Sequence, residues 1–362
     1  MIPPTTPFSL HDQAYQRFRQ ILDELHDAGS YRTDRFFDSI RDWLMHTCEL
    51  YGTHSLLSTR TGTDALLLAL GNMRLPTGAF IAAPSLAYHA VGATIIRSGF
   101  QPIWVDVDEH SWNMDLNDLE RALQLYPVRA VILVDNYGTP SNLQLASELC
   151  SKAQALLVLD ACESVGSKRH ASHYKLADYI AYSFSFTKPI HAFGMGGALA
   201  SRNISAYSAR DRTVFMLNHV RLPDLNAAYL SLALPQLESA VERLIEVHGR
   251  YTPHMAALGY QPQAVPSDQE SNRLHATFAR VRQRPGPNRR IVESYLKCNN
   301  VSTKVLFPPQ HWIIPSTVQR PMPITELLAK SLITLPSGPA ISEKAVNRVC
   351  AALKDIADRS ET

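Results

Sequence analysis

The sequence has few of the features that mark secreted, membrane or nucleic-acid-binding proteins. Its 362 residues include five cysteines, an odd number, with no CxxC pair and no metal-site spacing, so we expect reduced thiols and no metal. No apolar run approaches the ~18 residues that a membrane helix needs. Lysine and arginine total 35 against 33 acidic residues, a net charge of +2, without the clustered basic excess of nucleic-acid-binding proteins.

The N-terminal segment also lacks the marks of an export signal. MIPPTTPFSLHD has neither a basic stretch nor the apolar core of a signal peptide. We therefore expect a cytoplasmic protein with neither a nucleic-acid nor a membrane partner.

The composition is that of a globular enzyme-sized protein. Hydrophobic residues make up 45% and charged residues 19%, which excludes a disordered chain, a coiled coil and a collagen-like chain. At roughly 150 residues per domain, the length predicts two domains, or one large domain with a small one.

A regular alternation of short apolar runs and helical stretches occupies the first 200 residues. Such alternation predicts a mostly parallel sheet that is covered on both faces. Helices are predicted at 63–73, 88–98, 115–125 and 143–153. The seven predicted strands are 54–59, 79–83, 102–107, 130–134, 155–160, 179–186 and 197–200.

The alternation ends near residue 203, where a second, smaller α/β unit is predicted to begin. A long helical stretch covers 224–251, with Pro235 as a kink or break. Two strands are predicted next, in the segments HATFARV and STKVLF, followed by a proline-rich loop at 308–323 and a final helix at 341–357.

Three charged residues follow apolar runs of the first unit. Lys188 comes after SFSFT, and an apolar setting suits a lysine that forms a Schiff base, although most lysines are solvated surface charges. Asp160 ends the run ALLVLD and could pair with the ring nitrogen of pyridoxal phosphate; taken alone, it is more readily a helix N-cap. Glu163, three residues further on, could reach the same ligand.

Four further residues are candidates for binding a phosphate and a ring. Gly62 and Thr63 open a helix directly after a strand, where free N–H groups favour a phosphate, although a simple threonine cap explains TGTD equally well. Ser183 could add a hydroxyl. Tyr88 could stack on a cofactor ring or be an ordinary core or interface tyrosine. The order of phosphate turn, aromatic, acid, serine and lysine is that of fold-type I pyridoxal phosphate enzymes.

At this point the sequence resembles the DegT/DnrJ/StrS family of sugar aminotransferases over nearly its whole length. The pieces DACES (160–164) and SFSFTK (183–188), at this separation, are the most specific. Supporting pieces are TGTDALLLAL (61–70), the stretch from PSLAYHA to NMD (84–115), VRAVILVDNYG (128–138), NHVRLPDLNAAYLSLALPQLE (218–238) and LITLPSGPAISEKAVNRV (332–349).

The resemblance implies a fold-type I transferase with a large domain over 31–240 and a small domain over 241–362. It places residues 1–30 near the small domain. It also implies roles for single residues. Lys188 forms the Schiff base, Asp160 pairs with the pyridine nitrogen of the cofactor, and Tyr88 stacks on the cofactor ring. Glu163 stands where the family usually has Gln, and the phosphate is held by Gly62, Thr63 and Ser183.

Three positions depart from the family pattern. His219, beside Asn218, replaces the asparagine that the family sends to the neighbouring subunit's phosphate, which implies a homodimer with shared sites. The alternative is that His219 is an interface histidine and that Asn218 or a water makes the phosphate contact. Asp135 stands where a histidine is frequent, and Met195 stands where an acid is usual.

The resemblance implies transfer of an amino group, with L-glutamate as the donor, to a keto group of a nucleotide-linked deoxysugar. Relatives that act as dehydratases resemble the family with histidine at the lysine position, and Lys188 argues against that branch. A pyridoxal phosphate enzyme for a non-sugar substrate, or a non-catalytic relative, remains an alternative.

Overall fold

The computed structural model describes residues 1–29, 35–202, 221–282, 284–305 and 307–360. Its large unit contains a seven-stranded sheet in the order β1-β7-β6-β5-β4-β2-β3. All neighbours from β6 to β3 are parallel, and β7 is antiparallel to both β6 and β1. The strands are β1 (Ser55–Thr59), β2 (Phe80–Pro84), β3 (Gln101–Val105), β4 (Val128–Val134), β5 (Leu156–Asp160), β6 (Tyr179–Ser183) and β7 (Gly197–Ser201).

Both faces of this sheet are buried by helices. Along β4, Val131 and Leu133 belong to one apolar cluster, whereas Ile132 and Val134 belong to the cluster on the opposite face. This two-residue alternation in a strand that is apolar on both faces is typical of a covered parallel sheet. The helices of this unit are α1 (Asp12–Asp27), α2 (Arg35–Thr47), α3 (Gly62–Asn72), α4 (Ala90–Arg97), α5 (Leu116–Leu125), α6 (Leu143–Lys152) and α7 (Asp224–Ala233).

The predicted α/β class with a mostly parallel seven-stranded sheet is therefore confirmed. Each of the seven strands predicted for this sheet overlaps an observed one; the largest difference at one end is in the run 179–186, because β6 already ends at Ser183. Pro235 interrupts the long helical stretch, as expected for a residue without an N–H donor, and α8 (Leu237–Ala257) begins just after it.

The second unit contains a three-stranded antiparallel sheet in the order β10-β9-β8. The prediction of a strand in STKVLF is wrong: Lys304 makes an isolated bridge to Thr334, and Phe307 packs on Tyr137. The elements of this unit are β8 (Tyr260–Pro262), β9 (Ala276–Arg280), β10 (Ile333–Leu335), α9 (Arg289–Cys298), α10 (Gln310–Ile313), α11 (Pro323–Ser331) and α12 (Glu343–Ser360).

Two segments link the units. Helix α8 contributes Leu237 to the core of the large unit and Tyr251 to the core of the small one. In the N-terminal segment, Ile2 forms a bridge with Val301 of the small unit, whereas α1 packs on α7 of the large unit through Phe18. The segment that we expected near the small domain therefore contacts both units. Among the described residues, no helix is long and apolar enough to cross a membrane.

Candidate active site

Most of the predicted site residues meet at one edge of the large sheet. Asp160 and Ser183 are the last residues of β5 and β6, and Gly62 opens α3 shortly after β1 ends. Glu163 and Lys188 lie in the loops that follow β5 and β6. Because parallel strands end at the same edge, the topology itself brings these side chains together, where ligands of open α/β sheets bind.

The side chain of Lys188 is buried and paired with a carboxylate. Its Nζ lies 3.4 Å from Oε1 of Glu163, and the two side chains are 10% and 9% exposed. The backbone N–H of Lys188 donates to the Ser185 carbonyl at 2.9 Å, which fixes the turn that carries the lysine. Lys188 is therefore not a solvated surface lysine but the amine of a buried ion pair.

Three nitrogen groups face the carboxylate of Glu163. Its Oε1 faces Lys188 and also lies 3.4 Å from Nε2 of His275, and its Oε2 accepts the backbone N–H of Tyr137 at 2.9 Å. Burial alone would raise the pKa of Glu163, but Lys188, His275 and the Tyr137 N–H lower it to about 2. The carboxylate is consequently a fixed negative charge at neutral pH.

Asp160 is buried at the end of β5. Its Oδ1 accepts the backbone N–H of Cys162 at 3.1 Å, in a turn rather than at the start of a helix. Burial raises the pKa of Asp160, while Cys162 and the nearby Lys188 oppose that rise. The interpretation of Asp160 as a helix N-cap is wrong, because no helix follows it.

Gly62 is required by close packing at the start of α3. A Cβ at this position would lie 2.5 Å from Sγ of Cys162 and 3.0 Å from Cβ of Ser183. Thr61 caps the helix by accepting the N–H of Asp64 at 3.0 Å. Because the first helical N–H groups have no partner within the helix, those of Gly62 and its neighbour Thr63 are presented beside Ser183.

The cap and the proposed phosphate turn are thus compatible interpretations of TGTD. Thr63 is half-buried, and Ser183 Oγ lies within reach of the Gly62 backbone. Ser183 is itself held by its β6–β7 pairing with Gly197. This corner joins a helix N-terminus to a serine hydroxyl, which is a combination suited to an anion.

Tyr88 lies in the loop after β2 and is 47% exposed, so it is not a core tyrosine. Its ring centroid lies 6.0 Å from that of Phe307, which comes from the small unit and also packs on Tyr137 at 5.1 Å. Gln310, also of the small unit, donates to the Ala87 carbonyl at 2.9 Å. The small unit therefore supports the loop that carries Tyr88.

The sequence analysis gave no partner for Asp135, the residue found where the family frequently has histidine. Asp135 is fully buried and forms an ion pair with Arg169. It also accepts from the hydroxyls of Ser141 at 2.7 Å and Ser164 at 2.6 Å. Because Ser164 follows Glu163 directly, this network anchors the turn that carries Glu163, and Asp135 has a structural role.

Sequence reasoning also missed two small-unit residues at the site. His275 faces Glu163, and Asn272 donates from Nδ2 to the carbonyls of Glu163 at 2.8 Å and Val165 at 2.9 Å. Both lie more than 100 residues after Glu163 in the sequence, so no local sequence pattern connects them with it. The only signal was a histidine at the start of the predicted strand HATFARV.

His219 and Asn218 lie outside the described residues, so the predicted second-subunit contact is not placed. Within the described ranges, no group of three or more His, Cys, Asp or Glu side chains is arranged to hold a metal ion.

A mostly parallel sheet that presents a buried lysine at its strand ends suits Schiff-base chemistry. The chain matches the model of the DegT/DnrJ/EryC1/StrS aminotransferase family over residues 16–354, and it belongs to that family.

Two curated relatives and one solved structure illustrate the likeness. UDP-2-acetamido-2-deoxy-3-oxo-D-glucuronate aminotransferase from Pseudomonas aeruginosa is 26% identical over 84% of this chain and 87% of its own. dTDP-3-amino-3,4,6-trideoxy-alpha-D-glucose transaminase from Streptomyces venezuelae is 24% identical over 98% of this chain and 97% of its own length. The structure of NtdA from Bacillus subtilis with bound cofactor PMP has a TM-score of 0.82 at 19% identity, covering 96% of this chain and 83% of that one.

Proposed function

We propose that this protein is a pyridoxal phosphate-dependent aminotransferase that moves an amino group from an amino-acid donor, L-glutamate, to the keto group of a nucleotide-linked deoxysugar. The observation that carries the proposal is the buried Lys188 amine, 3.4 Å from Glu163, at the strand edge that also bears Asp160. A lysine so placed suits Schiff-base formation with an aldehyde.

The residues at this edge fit pyridoxal phosphate group by group. Gly62, Thr63 and Ser183 would hold the phosphate, since the missing Cβ of Gly62 lets the helix N-terminus approach the serine closely. Asp160 would pair with the ring nitrogen, and Tyr88 would cover the ring. When bound, the cofactor supplies an electron sink for the carbon that carries the amino group.

Lys188 would act both as the amine that holds the cofactor and as the group that moves a proton at the reacting carbon. The second role needs Nζ to be held at one position, and the contact with Oε1 of Glu163 does this. Asp160, buried among apolar strand residues, would keep its charge only against a positive partner such as a protonated ring nitrogen.

The proposed substrate class, a nucleotide-linked sugar, is supported by the names of the curated relatives. One of the curated enzymes described above is named for a UDP-linked 3-oxo sugar and the other for a dTDP-linked 3-amino sugar, and both match this chain over most of their lengths. A non-sugar acceptor and a non-catalytic role are the competing functions, and the intact set of Lys188, Asp160 and Ser183 argues against the latter.

The test is an amino-transfer assay with the purified protein, pyridoxal phosphate and ¹⁵N-labelled L-glutamate. A panel of UDP- and dTDP-linked keto-sugars and free keto acids serves as acceptors, with product mass as the readout. The ¹⁵N label should appear in a nucleotide sugar, and Lys188→Ala should abolish it while the exposed Lys330→Ala does not. Transfer to keto acids alone would overturn the sugar assignment, and no transfer at all would overturn the activity.

We further propose that the enzyme works as a homodimer in the cytoplasm, with His219 of one subunit reaching the phosphate of the other. Gly62, Thr63 and Ser183 offer no cation to a dianionic phosphate, so a further donor is needed. Beside Lys188, the large apolar side chains of Phe186 and Met195 are 55% and 52% exposed, which favours a covering partner.

Analytical ultracentrifugation at assay concentrations tests the assembly. We expect a dimer, with each site completed across a two-fold interface. A fully active monomer would contradict the shared site.

A further inference from the structure

The N-terminal segment before α1 connects the small unit with the loop that carries Lys188. Its first attachment to the small unit is at Ile2, which forms a bridge with Val301. The Ile2 N–H donates to the Asn300 carbonyl at 2.8 Å, and the Ile2 carbonyl accepts the N–H of Ser302 at 3.0 Å. These two hydrogen bonds fasten the start of the segment to the small unit.

A second attachment to the small unit is at Thr6, just after the end of β10. The Thr6 N–H donates to the Ser337 carbonyl at 2.9 Å. The next residue, Gly338, has a φ of +144°, and a Cβ at this position would overlap the carbonyl oxygen of Thr6. Glycine is therefore required at 338 for the two pieces of chain to lie this close.

Two residues further along, Phe8 contacts His191 of the large unit. Nε2 of His191 lies 2.9 Å from the Phe8 carbonyl oxygen, and both side chains are buried. A carbonyl oxygen can only accept, so Nε2 is the nitrogen that carries the hydrogen. The imidazole also stacks on Tyr229 of α7, with ring centroids 5.1 Å apart and ring planes within 6°. This stacking fixes the ring in the orientation that donates to Phe8.

Only Pro7 separates the attachment at Thr6 from the contact at Phe8. Proline fixes its own φ and restricts the residue before it to extended backbone. The three residues from Thr6 to Phe8 are therefore a stiff connection between the small unit and His191.

His191 lies three residues after Lys188 in residues 184–192, here called the Lys188 loop. Backbone hydrogen bonds hold this loop: the N–H of Ala192 donates to the Phe184 carbonyl and that of Lys188 to the Ser185 carbonyl, each at 2.9 Å. Because these bonds leave the backbone between Lys188 and His191 few free rotations, the position of His191 bears directly on that of the lysine.

We propose that His191 is a positioning residue for Lys188: its hydrogen bond to Phe8 ties the Lys188 loop to the N-terminal segment and, through Pro7, to the small unit. The placement of the lysine then depends on the placement of the small unit, although Lys188 belongs to the large one. The inference rests on the proposed function only in that Lys188 is the amine presented to the cofactor.

Hydrogen–deuterium exchange of the cofactor-free full chain, measured by mass spectrometry over the Lys188 loop, tests the tie itself. His191→Phe keeps a ring beside Tyr229 and removes the donor, so the amides of Lys188 and Ala192 should exchange about tenfold faster. His191→Gln, which keeps an N–H donor, should restore most of the protection.

The matched control is His54→Phe. His54 is also a buried histidine, and its Nε2 lies 2.9 Å from the carbonyl oxygen of Ala177. Its substitution removes the same kind of hydrogen bond from another place in the large unit, so exchange in the Lys188 loop should stay as in the wild type.

Gly338→Ala tests the connection at the small unit. The added methyl group should displace Thr6, and exchange in the Lys188 loop should rise in the same direction as in His191→Phe. The matched control is Gly286→Ala: Gly286 has a φ of +138°, and a Cβ there would overlap the Leu258 carbonyl oxygen, on the chain that follows α8 rather than on the N-terminal segment. It strains the small unit in the same way and should leave the loop unchanged.

A second readout separates positioning from a merely structural tie. With pyridoxal phosphate added, the rate at which borohydride traps the cofactor on Lys188 should fall about tenfold in His191→Phe, because the amine is no longer held in place. The rate should recover in His191→Gln and should equal that of the wild type in His54→Phe.

Unchanged exchange in His191→Phe, an equal rise in His54→Phe, or faster exchange without slower trapping would overturn the proposal. If His191→Phe does not fold, the two glycine variants decide: no effect of Gly338→Ala, or an equal effect of Gly286→Ala, would overturn it. Absence of trapping on Lys188 in the wild type, with the expected exchange results, would instead overturn the proposed function and leave the tie between the Lys188 loop and the small unit standing.

Discussion

The depressed pKa of Glu163 predicts a specific loss of stability in acid. The ordinary value of 4.5 is lowered to about 2, and each pKa unit corresponds to about 1.4 kcal/mol, so Glu163 contributes about 3 kcal/mol to the free energy of unfolding at pH 7. Because the folded-state pKa is the lower one, this contribution is fully present above pH 4.5 and disappears as the pH falls through 2. By pH 3, about 2 kcal/mol of it should be lost.

The assay is urea unfolding, followed by tryptophan fluorescence, of the wild type and Glu163→Gln at pH 7, 4 and 3. Removing the carboxylate also leaves Lys188 buried without its counter-charge, which changes stability at every pH in this range. The decisive quantity is therefore the pH dependence of the difference between the two proteins.

The difference in unfolding free energy should change by about 2 kcal/mol between pH 7 and pH 3, with the wild type losing more in acid. The exposed Glu120→Gln is the control and should show a constant difference from the wild type. A difference between wild type and Glu163→Gln that stays constant over this range would refute the ion-paired state of Glu163.

Three further substitutions test the other parts of the site. Asp160→Asn should fold and slow amino transfer by about 100-fold, measured as turnover, since the swap keeps the shape and removes the charge; an unchanged rate would make Asp160 merely structural. Gly62→Ala should cost about 1–3 kcal/mol in unfolding free energy and weaken cofactor binding through contact with Cys162, and Cys162→Ala should restore part of both. His219→Ala should weaken cofactor retention about tenfold, by equilibrium dialysis, without dissociating the dimer; unchanged retention removes His219 from the site.

The sheet could be predicted from the sequence because its strands are short apolar runs, most of which are separated from the next by a helix. The run 130–134, for example, is apolar at every position because β4 is covered on both faces. The isolated bridge at Lys304 shows the limit of this reasoning: the segment STKVLF is predicted as a strand, whereas Lys304 makes a single bridge and Phe307 packs on Tyr137.

The site residues at and after the strand ends were predictable because the strands themselves were. Asp160, Ser183 and Lys188 stand where parallel strands deliver side chains to one edge. His275 and Asn272 were not predictable, because their contacts with the Glu163 turn depend on how the small unit docks, and no local pattern encodes that. The sequence alone showed Asp135 as a departure from the family pattern, but only the fold showed that it forms an ion pair with Arg169.

Borohydride trapping tests the assignment of Lys188 most directly. The purified protein is incubated with pyridoxal phosphate, reduced, digested and mapped by mass spectrometry. A single modified peptide, with the pyridoxyl phosphate mass on Lys188, is the predicted result, and Lys188→Ala should lose the label while still binding the cofactor non-covalently. Label on another lysine, label spread over exposed lysines, or no label at all would contradict a cofactor site built on Lys188.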